Sequence, residues 1–230
     1  MKQKRLVPKT KINYSYGSYN KIKDDRQWIR LSQGCPHNCP YCYEPQKYEV
    51  YPIPKIECNH VGIIDMNLLC KPEALDILRN LPKNNGSPIV YDFICGIDYR
   101  FLNKEIAQEI KDHHVKRVRI AWDWFYKDQL KIRDALKLLY SVGYKPKDIM
   151  IFMICNWDIS YEECLKKLDV CKVWNVLVAD CYYDNQVGIM KKFIPIGWTT
   201  EEARSFRVKV RKHNQLVNFG IDPEIKVKRI

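Results

Sequence analysis

The amino-acid sequence predicts an α/β fold, specifically a single-domain, partial (β/α)6 barrel of the TIM type built on a parallel sheet. Short apolar runs rich in β-branched and aromatic residues alternate along the 230 residues with longer stretches of helical periodicity. This alternation is the pattern of βαβ units, whose strands are parallel. Six such runs are present rather than the eight strands of a closed barrel, so we expect the barrel to be open.

The predicted strands are the six apolar runs, at 27–33, 60–66, 88–95, 117–122, 148–154 and 174–180. The fifth run is apolar at every position from Ile149 to Ile154, which is typical of a strand covered on both faces of a sheet. The predicted helices are four amphipathic stretches, at 72–82, 103–113, 128–142 and 160–171.

Two helix starts carry a specific signal. Ser160 and Glu163 have the spacing of a capping box at the start of the fourth helix, and Thr199 with Glu202 has the same spacing at the start of a last helix. In parallel α/β folds the chemistry lies beyond the carboxyl ends of the strands. Residues that directly follow a predicted strand are therefore the candidates for function.

The chain divides into a core with two basic ends. We expect a basic amino-terminal segment (1–26), the barrel core (27–198) and a basic helix and tail that pack on the core (199–230). Residues 1–30 carry a net charge of +7 and residues 204–230 carry +6, so the rest of the chain, with a total of +12, sums to −1. Such basic ends favour a polyanionic partner, a nucleic acid or nucleotide. The alternative is that the ends are merely solvated.

Aromatic residues lie among the charges of the first segment, as in Tyr14, Tyr16 and Tyr19 before Lys21. Aromatic faces stack on bases while basic side chains neutralise phosphates, a task we expect Arg207, Arg211 and Lys212 of the last helix to share. The sequence shows no apolar run of the ~20 residues that a membrane span requires. No apolar signal segment follows its basic first residues. We therefore expect a cytoplasmic monomer with no membrane partner.

Three of the ten cysteines form a C-x3-C-x2-C motif directly after the first predicted strand: Cys35, Cys39 and Cys42. Pro36 and Pro40 keep this loop out of a helix. Thiolates are the usual ligands of iron–sulfur clusters, and three from one short loop leave one iron of a cubane open. The alternatives are a zinc knuckle, with His37 or Cys58 as fourth ligand, or three unrelated buried thiols.

With Tyr41 just before the third cysteine, the motif resembles the signature of the radical S-adenosylmethionine (SAM) superfamily. The resemblance implies a [4Fe–4S] cluster whose fourth iron is chelated by the amino and carboxylate groups of S-adenosyl-L-methionine. It also implies reductive cleavage of SAM to a 5′-deoxyadenosyl radical, with an electron donor such as flavodoxin or ferredoxin. The protein's share is to position the cofactor and to tune its potential. No residue is assigned to the catalytic step itself.

The resemblance extends over roughly 27–185 as an order of strand-end motifs, similar to that of compact radical SAM proteins of phages and bacteria. Where the family usually has Gly-Gly-Glu, this chain has Asp65-Met66-Asn67. In place of that motif, Asp65 and Asn67 offer oxygen acceptors to the methionine ammonium group. The alternative is an Asx turn that leads into the next helix.

The next two strand ends supply the other expected cofactor contacts. Gly96, Asp98 and Arg100 follow the third run, and Arg100 is expected to bind the methionine carboxylate while Asp98 contacts the cofactor or holds Arg100. The alternative is a structural ion pair at the rim. Asp123 follows the fourth run and is expected to accept hydrogen bonds from the ribose hydroxyls, with a helix cap as the alternative. Tyr41 is assigned to the same cofactor site.

The other seven cysteines form no tight pair, so we expect no second cluster. Cys95, Cys155 and Cys181 follow predicted strands, and each either returns a hydrogen atom to a substrate radical or is an inert buried thiol. For the substrate we expect a nucleic acid or nucleotide. The alternatives are a peptide or protein maturase, including a glycyl-radical activase, and a non-enzymatic iron–sulfur module that binds nucleic acid.

Overall fold

The structure is a computed structural model that describes residues 17–39, 41–42, 44–182 and 197–221. The expectations for residues 1–16, for Pro40 and for the tail beyond residue 221 lie outside the described residues. Among the helices of the described ranges, none is long and apolar enough to cross a membrane.

Each of the six predicted apolar runs contains a strand. In chain order the strands are β1 (Tyr19–Lys23), β2 (Arg26–Arg30), β3 (Ser32–Gln33), β4 (Glu49–Val50), β5 (His60–Ile63), β6 (Val90–Phe93), β7 (Val118–Ala121), β8 (Ile149–Cys155) and β9 (Leu177–Tyr182). The α-helices are α1 (Ala74–Asn80), α2 (Lys104–Asp112), α3 (Gln129–Ser141), α4 (Tyr161–Trp174) and α5 (Thr200–Asn218). All five correspond to predicted helices.

The strands form two main sheets, in the orders β1-β2-β5-β6 and β7-β8-β9, and a small pair, β3-β4. Within the two main sheets every neighbouring pair is parallel except β1 and β2. A single parallel bridge joins these sheets, because Ile97 N donates to Arg119 O at 2.7 Å and Ala121 N donates to Ile97 O at 3.0 Å. The predicted α/β class with parallel strands in chain order is confirmed, and closure into a partial barrel stays a prediction.

The sequence pattern did not predict the hairpin β1–β2. Its two-residue loop is Asp24-Asp25, and both residues have positive φ, at 52° and 58°. Two consecutive positive φ values are the geometry of a type I′ turn, which matches the twist of antiparallel strands and which aspartate tolerates. Part of the predicted amino-terminal segment is thus paired with the core sheet.

The first predicted strand is broken at Leu31 by a buried carboxylate. Asp65 Oδ2 accepts from Leu31 N at 3.0 Å and Oδ1 accepts from Ser32 Oγ at 2.7 Å. The chain therefore leaves the β2–β5 pairing and enters the short pair β3–β4, which leads to the cysteine loop. Asp65 is 3% exposed, and burial raises the pKa of its carboxyl to about 6.

The strand β8 is covered fully on one face only, contrary to the expectation from its continuous apolar run. Its odd-numbered residues are buried, and the last of these, Cys155, lies against Cys164 of α4. Met150, Phe152 and Ile154 point the other way and are half-buried. The apolar run therefore reflects a core face and a second face that is partly open.

The two predicted capping boxes differ in the structure. Thr199 and Glu202 form both hydrogen bonds of the box, at 3.1 Å and 2.6 Å. Ser160 Oγ accepts from Glu163 N at 3.2 Å, but the Glu163 carboxylate accepts from Tyr126 N and not from the cap backbone. The capping box at Thr199 is therefore confirmed. The one at Ser160 is half formed, because the Glu163 carboxylate binds a loop amide from outside the helix.

The helix α5 covers the free edge of β9. Asn214 Oδ1 accepts from Val178 N at 2.9 Å while Asn214 Nδ2 donates to Val178 O at 2.7 Å. His213 Nε2 lies 2.7 Å from Val176 O. One side-chain amide thus replaces the backbone of a further strand, and exposed edges otherwise leave such groups unpaired.

We expect Asn214→Ala to lower the free energy of unfolding by about 1–3 kcal/mol, because both backbone groups of the buried Val178 lose their hydrogen-bond partner. Urea denaturation measures the change. Gln215→Ala, an exposed neighbour on α5, serves as the control and should change stability by less than about 0.5 kcal/mol. Equal effects of the two substitutions would contradict the edge-covering role.

Candidate functional site

A cavity of about 700 Å³, including its open mouth, lies at the carboxyl ends of the strands. We call it the strand-end cavity. Its lining comes from four segments: 35–44 after β3, 66–67 after β5, 95–100 after β6, and 121–124 at the end of β7 and beyond. Small-molecule and cofactor sites of parallel α/β folds usually lie at this position. Residues far apart in sequence meet here because parallel strands end at the same edge.

The cysteine loop is held closed at its base. Cys35 N donates to Pro45 O at 3.0 Å, and Gly34 N donates to Glu44 Oε1 at 2.6 Å. Gly34 has a φ of 93°, and a Cβ at this position would lie 2.4 Å from Lys47 O. Only glycine allows this close approach of the two ends of the loop.

All three motif cysteines line the cavity as free, half-buried thiols. A hydrogen bond from the Cys70 thiol lowers the pKa of Cys35, and the Asn67 amide, with Nδ2 3.6 Å from the sulfur, acts in the same direction. Burial raises the pKa of Cys39, and it raises that of Cys42 to about 11. Of the three motif thiols, Cys35 therefore has the lowest pKa.

The Asp98 carboxylate is the centre of a hydrogen-bond network. Its Oδ1 accepts from Arg100 Nε at 2.7 Å, and its Oδ2 accepts from Arg100 Nη2 at 2.8 Å and from Asn67 Nδ2 at 3.1 Å. His37 Nε2, within the cysteine loop, lies 2.9 Å from the same Oδ2. Burial opposes ionisation, but the hydrogen bonds and charge of Arg100, with the Asn67 amide, lower the pKa of Asp98 below its ordinary value.

Asn67 leaves one buried acceptor without a partner. Its Nδ2 is used by Asp98 and approaches Cys35, which fixes the other amide atom as the oxygen. The side chain is 8% exposed and lines the cavity, and Oδ1 has no hydrogen-bond partner among the described residues. Because buried polar atoms are almost always paired, this oxygen indicates a ligand that donates a hydrogen bond.

Arg100 keeps part of its donor set for a ligand. Asp98 takes Nε and one hydrogen of Nη2, so the other edge of the guanidinium, formed by Nη1 and Nη2, is not used by Asp98. The side chain is 37% exposed and lines the cavity. This edge has the geometry to bind a carboxylate through two parallel hydrogen bonds.

Asp123 lies on the β7 side of the cavity beside Tyr41. Burial raises the pKa of the Tyr41 phenol, and the neighbouring Asp123 and Cys39 act in the same direction. Burial likewise raises the pKa of Asp123, although the positive charge of Lys167 and the Tyr41 hydroxyl act against the shift. A carboxylate in such a position can accept hydrogen bonds from neutral hydroxyl groups.

Sequence reasoning missed the buried lysine behind Asp123. Lys167 is fully buried on α4, its Nζ donates to Trp122 O at 2.8 Å, and burial lowers its pKa. The available signal was a lysine on the same helical face as Cys164 and Cys171, where an apolar residue is expected. Its charge partly compensates Asp123 within the fold.

The structure brings most of the predicted site residues together. Those that line the cavity are Cys35, Cys39, Tyr41, Cys42, Asn67, Gly96, Asp98, Arg100 and Asp123. Asp65 is not in this lining, because both of its oxygens face the chain at Leu31 and Ser32. Of the three cysteines considered as hydrogen-atom donors, Cys95 lines the cavity, whereas Cys155 is buried against α4.

The backbone conformation at position 96 explains why a glycine is found there. Its φ is 84°, and a Cβ would lie 3.2 Å from Arg119 O, on the neighbouring strand β7. The glycine therefore lets the segment after β6 approach β7 at the bridge between the two sheets.

The donor set fits the thiolate ligands of an iron–sulfur cluster, because all three motif cysteines line one cavity. Among the described residues, no three His, Cys, Asp or Glu side chains converge as ligands of one metal ion. His37 is engaged by Asp98, and Cys58 is not in the cavity lining. A cubane needs thiolates on separate irons, so three cysteines spread over one wall of a cavity suit it.

Comparisons with known proteins support the fold. No family model matches the chain, and no curated protein matches it. Among solved structures, it is similar to the radical S-adenosylmethionine methyltransferase TsrM from Kitasatospora setae, solved with cobalamin and a [4Fe–4S] cluster bound. The TM-score is 0.55 at 12% identity, over 67% of this chain and 34% of TsrM. The chain therefore shares a fold with a radical SAM enzyme and spans about a third of its length.

Asp98→Ala should lower the free energy of unfolding by about 1.5–3 kcal/mol, because Arg100, Asn67 and His37 lose a charged acceptor in a buried position. Denaturation of the metal-free protein, followed by circular dichroism, measures the change. Asp134→Ala on α3, where the side chain is 63% exposed, is the control and should have an effect under about 0.5 kcal/mol. A neutral Asp98→Ala would show that the network does not hold the site together.

Proposed function

We propose that this protein is a radical SAM enzyme that binds a [4Fe–4S] cluster through Cys35, Cys39 and Cys42. One observation carries the proposal. The three thiols, the unpartnered Asn67 oxygen and the unused edge of Arg100 line the same cavity at the strand ends. Three thiols can bind a cluster, while one hydrogen-bond acceptor and one guanidinium edge beside them can bind the ammonium and carboxylate groups of an α-amino acid. When bound, the cluster supplies the electron that cleaves SAM to methionine and a 5′-deoxyadenosyl radical.

The protein's own residues then have distinct tasks. Asn67 Oδ1 accepts a hydrogen bond from the ammonium group of SAM, and Arg100 binds its carboxylate. Asp123 accepts from the ribose hydroxyls, and Tyr41 packs near Trp124 and Trp157, with ring centroids 5.6 Å and 5.8 Å away. Such a cluster of rings excludes water from one side of the site.

Two sequence expectations change within this proposal. Asp65 is assigned to the backbone break after β2, so that the ammonium acceptor is Asn67 alone. Asp98 orients Arg100 and does not itself contact the cofactor, because its oxygens already accept from three side chains. The succession of six parallel strands in chain order supports the further proposal of a partial (β/α)6 barrel.

For the substrate we propose a nucleic acid or nucleotide. The charge distribution along the chain supports it, and so does the surface beside the cavity. Phe125 is 38% exposed next to the lining residue Trp124, and Lys127 Nζ lies 5.6 Å from the Phe125 ring centroid. An exposed ring beside a cation is suited to stacking on a base near a phosphate. Nothing in the described residues specifically favours a peptide substrate.

Cluster binding is tested by substitution of the ligands. After anaerobic reconstitution the wild-type protein should hold about four iron atoms per chain, and Cys35→Ala, Cys39→Ala and Cys42→Ala should each lose most of them, because each removes one thiolate. Iron and sulfide analysis with absorption spectroscopy measures the loading. Cys58→Ala, a half-buried cysteine outside the cavity, is the matched control. Full loading of all three motif variants would refute the proposal.

SAM binding is tested separately from cluster binding. Asn67→Ala, Arg100→Ala and Asp123→Ala should each weaken SAM affinity roughly tenfold or more while iron content stays at the wild-type level, because each removes a hydrogen bond to a charged or buried group. Anaerobic calorimetry gives the affinity, and release of 5′-deoxyadenosine with dithionite gives turnover. Arg133→Ala, exposed on α3, is the control. Unchanged SAM affinity in all three variants would show that these three assignments are wrong. The proposal of a cluster would not be affected.

A further inference from the structure

A second cavity lies at the opposite, amino-terminal ends of the parallel strands. Lys116 and Arg117 directly precede β7, Arg119 lies within it, and Lys147 precedes β8; the end of α5 contributes Asn218. We call it the basal cleft. Its volume is about 880 Å³, including the space open to solvent. It shares no lining residue with the strand-end cavity.

The positive charge of the basal cleft is only partly compensated within the described residues, because its lining has four basic side chains and two carboxylates. None of its four basic side chains forms an ion pair there, although ion pairs are common elsewhere in the structure. Of the two carboxylates of the lining, one is neutralised by a cation from outside the cleft, and the other has a backbone partner and keeps its charge. Asp92 pairs with Arg26, and Asp148 Oδ2 accepts from Lys145 N at 3.0 Å. Four cations that repel one another around one cleft favour binding of an anion.

One of the four cations is held in place before any ligand binds. Arg119 Nη1 donates to Phe93 O at 2.9 Å, and its guanidinium carbon lies 5.8 Å from the centroid of the Phe152 ring. A guanidinium fixed in this way loses little conformational entropy on binding and presents its remaining donors to phosphate oxygens. The other three cations are exposed at the rim, where they can follow a ligand.

The basic surface continues beyond the cleft along α5. Arg211 lies seven residues before Asn218, on the same face of the helix and about 10 Å away along its axis. Arg211 is exposed and has no ion pair among the described residues, whereas Arg207, one turn earlier, lies 3.4 Å from Asp180. A row of cations longer than one phosphate group suits a polymer with repeated phosphates better than a single anion.

We propose that the basal cleft binds backbone phosphate groups of a nucleic acid. The partner class rests on the proposed function, whereas the cleft itself uses no residue of the strand-end cavity. The cleft contacts phosphates and therefore anchors the chain without reading its sequence. Residues near the middle of the chain, at the starts of β7 and β8, thus bind phosphates in addition to the basic ends.

The test is binding of fluorescein-labelled single-stranded RNA and duplex DNA by the cluster-loaded protein, followed by anisotropy over a salt series. The variant Lys116→Gln/Arg117→Gln/Lys147→Gln removes three rim cations. It should weaken binding roughly tenfold or more at 0.1 M salt and flatten the log–log salt slope by about 2 units, since each contact to a single strand contributes about 0.7. The control variant Lys104→Gln/Lys137→Gln/Lys166→Gln removes the same charge from exposed positions on α2, α3 and α4 and should leave the slope nearly unchanged.

Equal slopes for the two triple variants would overturn the proposal, as would the absence of wild-type binding at low salt. ATP and pyrophosphate are the competing probes. The proposal is also overturned if the wild-type protein binds ATP or pyrophosphate but neither RNA nor DNA, and the rim variant loses that binding. The ligand of the cleft would then be a small phosphate compound. Iron content and SAM cleavage are measured on the same samples. If iron content and SAM cleavage are normal but nucleic acid does not bind, the proposal for the cleft is wrong and the radical SAM assignment stands.

Discussion

The arrangement of the strand-end cavity depends on one buried carboxylate. Asp98 accepts hydrogen bonds from the cysteine loop through His37, from the end of β5 through Asn67, and from its own turn through Arg100. A carboxylate with 7% exposure is stable only while such donors surround it. The same ion therefore fixes the loop that carries the thiols and the two side chains that face the proposed amino-acid part of SAM. In the proposed function, Asp98 therefore couples the position of the cysteine loop to that of the side chains that bind SAM.

A second aspartate shapes the site from behind. Asp65 takes the backbone of Leu31 and the hydroxyl of Ser32, and the chain turns out of the main sheet there towards the cysteine loop. Gly34 completes this framework where two backbones meet too closely for a Cβ, and Gly96 completes it where the chain takes a positive φ beside Arg119 O. The chemistry of the cavity thus rests on residues that present their functional atoms to the protein and not to the ligand.

Periodicity predicted the strands and helices because each has a face against the core. It failed where the cause is a single turn or a hydrogen bond to a residue far away in the sequence. The turn at Asp24-Asp25 depends on positive φ. The break at Leu31 depends on a carboxylate thirty-four residues away, and the capping box at Ser160 is incomplete because of the Tyr126 amide. In the site, strand-end position identified which residues gather. It did not reveal whether Asp65 faces cavity or backbone, because that orientation is set by tertiary partners. Lys167 escaped notice since a lysine in an amphipathic pattern is read as solvent-facing.

The cover that α5 places on β9 has a consequence for how this chain meets other chains. An unprotected edge strand invites pairing with a strand from another molecule, which leads to domain swapping or aggregation. At the start of β9 that route is blocked, because Asn214 and His213 already occupy backbone groups of Val178 and Val176 that a new strand would need. At the other end of the strand series, β1 exposes Lys21 and Lys23, and charged side chains disfavour strand addition. The fold thus resists extension of its sheet at both ends by two different means, a side-chain amide at one and charge at the other.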